Sequence, residues 1–117
     1  MSKKVQRTWG WFCNLDENDH SMYKIKKICI YPGKRVSLQS HNERNEHWVF
    51  LKGESKVYLN NSIYMLHEND YIYIPKNSQH SIENIGSENL ELVQTLYGKY
   101  LGEDDIVRHD DDDFYRK

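Results

Sequence analysis

Apolar and polar residues alternate with period two along most of the chain. Turn-forming pairs break that alternation about every 8–12 residues, the spacing of a small all-β sandwich or barrel. Residues 24–30 carry Ile25, Ile28 and Ile30 and stop at Pro32-Gly33. Residues 35–41 set Val36, Leu38 and Ser40 against Ser37, Gln39 and His41. Residues 46–52 are aromatic and β-branched and end at Gly53. Residues 54–59 and 62–66 flank Asn60-Asn61, a pair that tolerates positive φ and predicts a hairpin. Residues 70–74, 80–84 and 90–96 complete the predicted strands, and helix signals are nearly absent.

The alternation fails after Gly102, where Glu103, Asp104, Asp105 and the run Asp110–Asp113 predict a solvated tail. With 117 residues there is room for one domain, residues 1–117, with 1–6 and 110–117 as flexible tails. A chain of this size buries roughly two-thirds of the surface its unfolded form exposes, so one modest core is expected. Nine Tyr and three Trp supply large apolar area that the 38% hydrophobic fraction alone does not.

Sixteen Lys and Arg against eighteen Asp and Glu leave a net charge of −2. That balance argues against a dedicated nucleic-acid or anionic-membrane binder, which needs a basic excess. No stretch of eighteen apolar residues could span a bilayer. Residues 1–6 are basic and no apolar run follows them, so no secretory signal is expected. Cys13 and Cys29 make no disulfide framework and read as reduced core thiols of a cytoplasmic protein.

The histidines matter through their spacing. Gln39 and His41 are two apart in a predicted strand and share a face. Glu46 opens the next strand, and His80 begins another after Pro75. Singly, each has an ordinary structural explanation. Together an amide oxygen, two imidazoles and a carboxylate could converge in a small barrel, a mixed N/O set suited to Zn²⁺, Mn²⁺, Fe²⁺ or Ni²⁺.

From Gly33 the chain runs five residues to Gln39, one to His41, four to Glu46 and six to Gly53. This resembles the first motif of the cupins, G(x)5HxH(x)4E(x)6G, with Gln39 in place of its first His. From Asn69 it runs five residues to Pro75, one to Asn77, two to His80 and three to Asn84. This resembles the second motif, G(x)5PxG(x)2H(x)3N, with Asn at both glycine positions; Asn is the commonest non-glycine residue at positive φ. The implied fold is a cupin jelly-roll barrel.

The local words resemble more narrowly the C-terminal cupin module of type II mannose-6-phosphate isomerases. The run Val36 to Gly53 is similar to LSLQxHxHRxEHWxVxxG, Arg7-Thr8-Trp9-Gly10 is similar to RPWG, and YLGEDDIVR stands whole at residues 100–108. In many members of that family the module follows a mannose-1-phosphate guanylyltransferase domain. Here 117 residues hold the cupin alone, so nucleotidyl transfer is not expected. Two positions depart from the family pattern, Glu43 where His is usual and Thr8 where Pro is usual.

The resemblance implies interconversion of mannose 6-phosphate and fructose 6-phosphate through a cis-enediol. It implies Gln39, His41, Glu46 and His80 as ligands of one divalent metal ion, Zn²⁺ first, with Mn²⁺, Fe²⁺, Ni²⁺ or Co²⁺ as alternatives. Arg44, between two of these ligands, is the implied catalytic and substrate-binding arginine, with Lys34 and Arg108 as alternative phosphate partners. Glu103 and Asp104, in the closing word, are candidate proton carriers. His47 should face away from Glu46 and serve packing. Trp48, Phe50, Tyr58, Tyr71 and Tyr73 are expected in the core or on a dimer face, and Trp9 and Trp11 on a segment that covers a sheet edge. A sugar phosphate is the expected small-molecule partner and a homodimer the expected assembly. A competing reading, favoured by Glu43, is a non-catalytic cupin that binds a sugar phosphate or nucleotide sugar as a sensor or partner subunit. A third, another cupin enzyme such as a nucleotide-sugar epimerase, fits the fold and not the local words.

Overall fold

The structure is a computed structural model that describes residues 3–17, 23–99, 101 and 105–108. The described strands are β1 (Val5–Arg7), β2 (Gly10–Glu17), β3 (Tyr23–Ile30), β4 (Arg35–His41), β5 (Arg44–Lys52), β6 (Glu54–Leu59), β7 (Ser62–His67), β8 (Tyr71–Ile74), β9 (His80–Asn84), β10 (Leu90–Gly98) and β11 (Ile106–Arg108). Two antiparallel sheets form, one ordered β1-β2-β3-β10-β5-β8 and the other β11-β4-β9-β6-β7. This is the cupin jelly roll that the motifs imply. No helix among the described residues is long and apolar enough to cross a membrane.

Strand alternation decides what faces inward. On β5 the buried side chains are Arg44, Glu46, Trp48 and Phe50, while His47 and Val49 stay exposed. The inward row therefore changes from polar to apolar along the strand. The neighbouring strands change in step. Leu92 of β10 pairs with Phe50 and with Ile28 of β3, whereas Gln94 pairs with Trp48 and with Lys26. Register thus stacks apolar residues at one end of the barrel and polar ones at the other.

The apolar end is the core, built from Ile28, Ile30, Trp48, Phe50, Val57, Ile74, Ile82, Leu90 and Leu92. Burying Phe50 alone contributes roughly 2 kcal/mol. Asn84 staples the two sheets at that end. Its Nδ2 donates to the carbonyls of Ile30 (2.8 Å) and Glu88 (2.7 Å), and its Oδ1 accepts from the Gly86 N–H (2.8 Å). Cys13 and Cys29 are buried and free.

Turn chemistry follows the sequence. Asn60, Asn61, Asn69 and Asn77 all have positive φ, so both Asn residues in glycine positions of the second motif take the backbone conformation those positions demand. Gly98 (φ 156°) pairs with Arg44, and a Cβ there would collide with the Glu43 carbonyl. The close approach of β10 to the start of β5 requires glycine.

The ends of the chain depart from expectation. Val5 and Gln6, assigned by sequence to a tail, pair with Phe12 and Trp11 in the β1–β2 hairpin, which extends the first sheet beyond β3. Three residues are too short to show alternation. Trp9 packs against the core, in keeping with an edge-covering segment. Likewise Ile106–Arg108 forms β11 against His41, Ser40 and Gln39 within a stretch read as solvated. Residues 110–117 lie outside the described residues.

Candidate metal centre

The polar end of the barrel encloses a cavity of about 460 Å³. Gln39, His41, Glu46 and His80 all line it. Strands β4 and β9 bring two of them into register, with Gln39 opposite His80. Each of His41, Glu46 and His80 is buried and offers one ligand atom, and those three atoms lie within 4.8 Å of one another. Ligand atoms held about 2.0–2.2 Å from one ion in a tetrahedral set lie about 3.3–3.6 Å apart, so the three atoms are gathered near coordination distance and draw together by up to about 1 Å to close the set.

The Glu46 carboxylate is held at both oxygens. Oε1 accepts from the Trp48 indole N–H at 2.8 Å. Oε2 accepts from Arg44 Nε at 3.1 Å and lies 3.3 Å from His41 Nε2. Burial pushes the carboxyl up, but His80, Arg44, His41 and the indole together outweigh it and hold it below its ordinary value. Glu46 is thus a carboxylate anion, the form that binds metal.

His41 is held neutral. Burial, then the Arg44 guanidinium, lowers its pKa from 6.5 to about 4, against a smaller upward pull from Glu46. His80 Nδ1 lies 3.1 Å from the Ser78 carbonyl and donates to it, which turns Nε2 toward the cluster as the ligand atom. The two rings lie 5.5 Å apart, and the Trp48 ring meets His80 edge-on at 5.6 Å. Gln39 Nε2 turns to Ser37, at 3.3 Å from its carbonyl and 3.4 Å from its hydroxyl, which leaves the amide oxygen for an ion.

Among the described residues that line the cavity, His41 Nδ1 and Arg44 Nη1 are buried without a hydrogen-bond partner. Two imidazoles and a carboxylate whose ligand atoms face one another are a donor set that fits a borderline divalent cation. The same atoms are engaged by Arg44, whose Nη2 lies 2.9 Å from His41 Nε2. A resident ion and this guanidinium compete for His41 and Glu46.

Arg44 was expected in the loop between ligands. It is instead the first residue of β5, 4% exposed and pointing inward. Arg108 lines the cavity and donates to Ser37 Oγ at 3.0 Å. Lys34 sits exposed in the turn before β4 and is not among the lining residues, whereas its neighbour Arg35 is. Glu103 and Asp104 lie outside the described residues. His47 faces outward as alternation requires, stacked between Tyr73 (4.6 Å) and Tyr97 (5.7 Å). Trp48 and Phe50 are core residues, while Tyr71 and Tyr73 stand exposed on the outer face.

Sequence reasoning missed two contributors. Lys26 points into the cavity from β3, and its signal was a lysine in phase with Ile28 and Ile30. Asp105 takes the backbone N–H groups of Asn42 (3.2 Å) and Glu43 (2.9 Å), fixing the turn that joins His41 to Glu46. Glu43 itself is exposed. Its departure from the family pattern puts no side chain into the cavity lining.

The chain belongs to the mannose-6-phosphate isomerase C-terminal family, which matches residues 1–111. It is 40% identical over 111 residues to the mannose-1-phosphate guanylyltransferase ManC of Salmonella typhimurium, covering 95% of this chain and 23% of that protein. It is 39% identical over 109 residues to the xanthan biosynthesis protein XanB of Xanthomonas campestris, covering 93% and 23%. The chain thus spans about a quarter of the length of these relatives. Rru_A2000 of Rhodospirillum rubrum, a cupin-2 domain, superposes with a TM-score of 0.81 at 13% identity, covering 98% of this chain and 80% of that one. A Bacillus subtilis oxalate decarboxylase does so at 0.81 and 16%, covering 92% and 30%. At such identities the structural likeness concerns the fold.

Proposed function

We propose that the chain is a metal-dependent aldose–ketose isomerase acting on a hexose 6-phosphate, the mannose 6-phosphate/fructose 6-phosphate pair in the first instance. The observation that carries this reading is the buried cluster of His41, Glu46 and His80 in a cavity with cationic side chains, in a chain of this family. Gln39, His41, Glu46 and His80 would hold the ion, which supplies electrophilic polarisation of a sugar carbonyl.

The chain's own groups do the rest. The Trp48 indole fixes one oxygen of the Glu46 carboxylate, and the Ser78 carbonyl orients the His80 ring, so these two ligands are held in place while Arg44 gives way to the ion. The core residues Ile28, Trp48 and Ile82 line the cavity and close that side of it against water. Isomerisation must move a proton between C2 and C1, and Glu103 and Asp104 remain our candidates for that transfer. The reading carries a homodimer with it, which light scattering in solution tests.

The decisive assay is turnover of mannose 6-phosphate with added Zn²⁺, Mn²⁺ or Co²⁺. The reading predicts fructose 6-phosphate formation that chelation abolishes. Sugar-phosphate binding without turnover under any of these ions would replace it with the sensor or partner-subunit reading.

A further inference from the structure

We propose that Lys26 and Arg7, which both approach the Phe12 ring, form an anion subsite that takes the phosphoryl group of the ligand. The proposal rests on the isomerase reading for the ligand's identity, but its charge argument is independent. The cavity is lined by five cationic side chains, Arg7, Lys26, Arg35, Arg44 and Arg108. Glu46 is the one carboxylate among the described lining residues. A cavity so charged selects an anion.

The cations are not equivalent. Arg44 is engaged with Glu46 and His41, and its charge answers the Glu46 carboxylate. Lys26 is only 7% exposed, and its Nζ lies 4.7 Å from the Phe12 ring centroid. Arg7 Cζ lies 5.3 Å from the same ring and stays exposed. A buried ammonium and an exposed guanidinium, both against the Phe12 ring, give an anion one weakly screened charge and one planar fork of donors.

Spacing places this pair apart from the metal ligands. The sheet order runs β3-β10-β5, so Lys26 stands two strands from the strand that carries Glu46, roughly 10 Å away. In a hexose 6-phosphate the phosphate is attached at the far end of the carbon chain from C1 and C2. A sugar whose reacting carbons lie beside His41, Glu46 and His80 therefore directs its phosphate toward Lys26 and Arg7.

The test is calorimetric titration of the chelator-treated full chain with inorganic phosphate, alongside KM measurements on the metal-loaded protein. Lys26→Met and Arg7→Gln should each weaken phosphate binding, and raise KM for the sugar phosphate, by about tenfold or more. Lys56→Gln, on the exposed side of β6, should do neither. Arg7 is exposed, so its variant keeps the test valid should Lys26→Met lower stability. Wild-type failure to bind phosphate, or equal binding by both variants, overturns the subsite. Phosphate binding lost in Lys26→Met without sugar turnover in the wild type leaves the subsite standing and removes the isomerase. Turnover with unchanged KM in both variants does the reverse.

Discussion

Arg44 Nε donates to Glu46 Oε2 across 3.1 Å, inside the barrel, with both side chains almost fully buried. The pair sets up competition at the centre of the site. The guanidinium neutralises the carboxylate and, through Nη2, also engages His41. A divalent ion that takes His41 and Glu46 replaces that charge and releases Arg44.

Arg44→Met should therefore separate stability from metal affinity. In chelator it leaves the Glu46 carboxylate without its nearest cation, which costs about 3–5 kcal/mol. With Zn²⁺ present much of that loss should return, because the ion supplies the missing charge. Thermal melts with and without Zn²⁺ check this. Equal destabilisation in both conditions would show that the guanidinium and the ion do not share a place.

Acid should weaken the metal-free protein through the same two residues. His41 has a folded pKa of about 4 against 6.5 when unfolded, so between those values the unfolded chain binds a proton that the folded one refuses. That difference removes up to roughly 3 kcal/mol of stability as the pH falls from 6.5 to 4. The depressed Glu46 carboxyl acts in the same direction, its contribution being lost as the pH falls through its folded value. Tm in chelator should be flat above neutrality and fall steadily below pH 6.5. In His41→Asn the part of that fall lying between pH 6.5 and 4 should shrink.

Asp105 organises the site without entering it. Its carboxylate caps the N–H groups of Asn42 and Glu43 in the turn between two ligands. Asp105→Ala should cost about 1–2 kcal/mol of stability and weaken metal binding severalfold, with the ligand side chains intact. Competition with a chromogenic chelator reads the second effect. Unchanged affinity would show that the turn is rigid on its own.

Asn84 completes the second motif but belongs to the other end of the barrel, with no solvent exposure, one hydrogen bond across to the other sheet at Ile30 and two that tie down the β9–β10 loop at Gly86 and Glu88. Asn84→Ala should cost about 2–4 kcal/mol in denaturant unfolding and leave metal stoichiometry alone. Loss of metal from a folded variant would place Asn84 in the site.

Most of the barrel was legible because its strands are long enough to alternate. The predicted strands from residue 24 to residue 96 match β3 to β10 within one or two residues at each end. The short β1 and β11 were invisible, since three residues give no period and their pairing is decided by distant partners. The metal cluster was legible because ligand spacing along strands fixes which side chains share a face. The role of Arg44 was legible in kind and not in place. Sequence put it beside two ligands, but only register turns it inward to meet both. Lys26 was overlooked because a lysine among isoleucines reads as interruption of an apolar row, whereas here the inward row becomes polar at that point on β3, β5 and β10 together.

Metal stoichiometry addresses the central claim directly. Elemental analysis after equilibrium dialysis against Zn²⁺ should find one ion per wild-type chain. Glu46→Gln and His80→Ala should each retain far less than one while keeping a cooperative thermal transition. A wild-type chain that holds no ion, or folded variants that hold as much as the wild type, would contradict the assignment of His41, Glu46 and His80 as a metal centre.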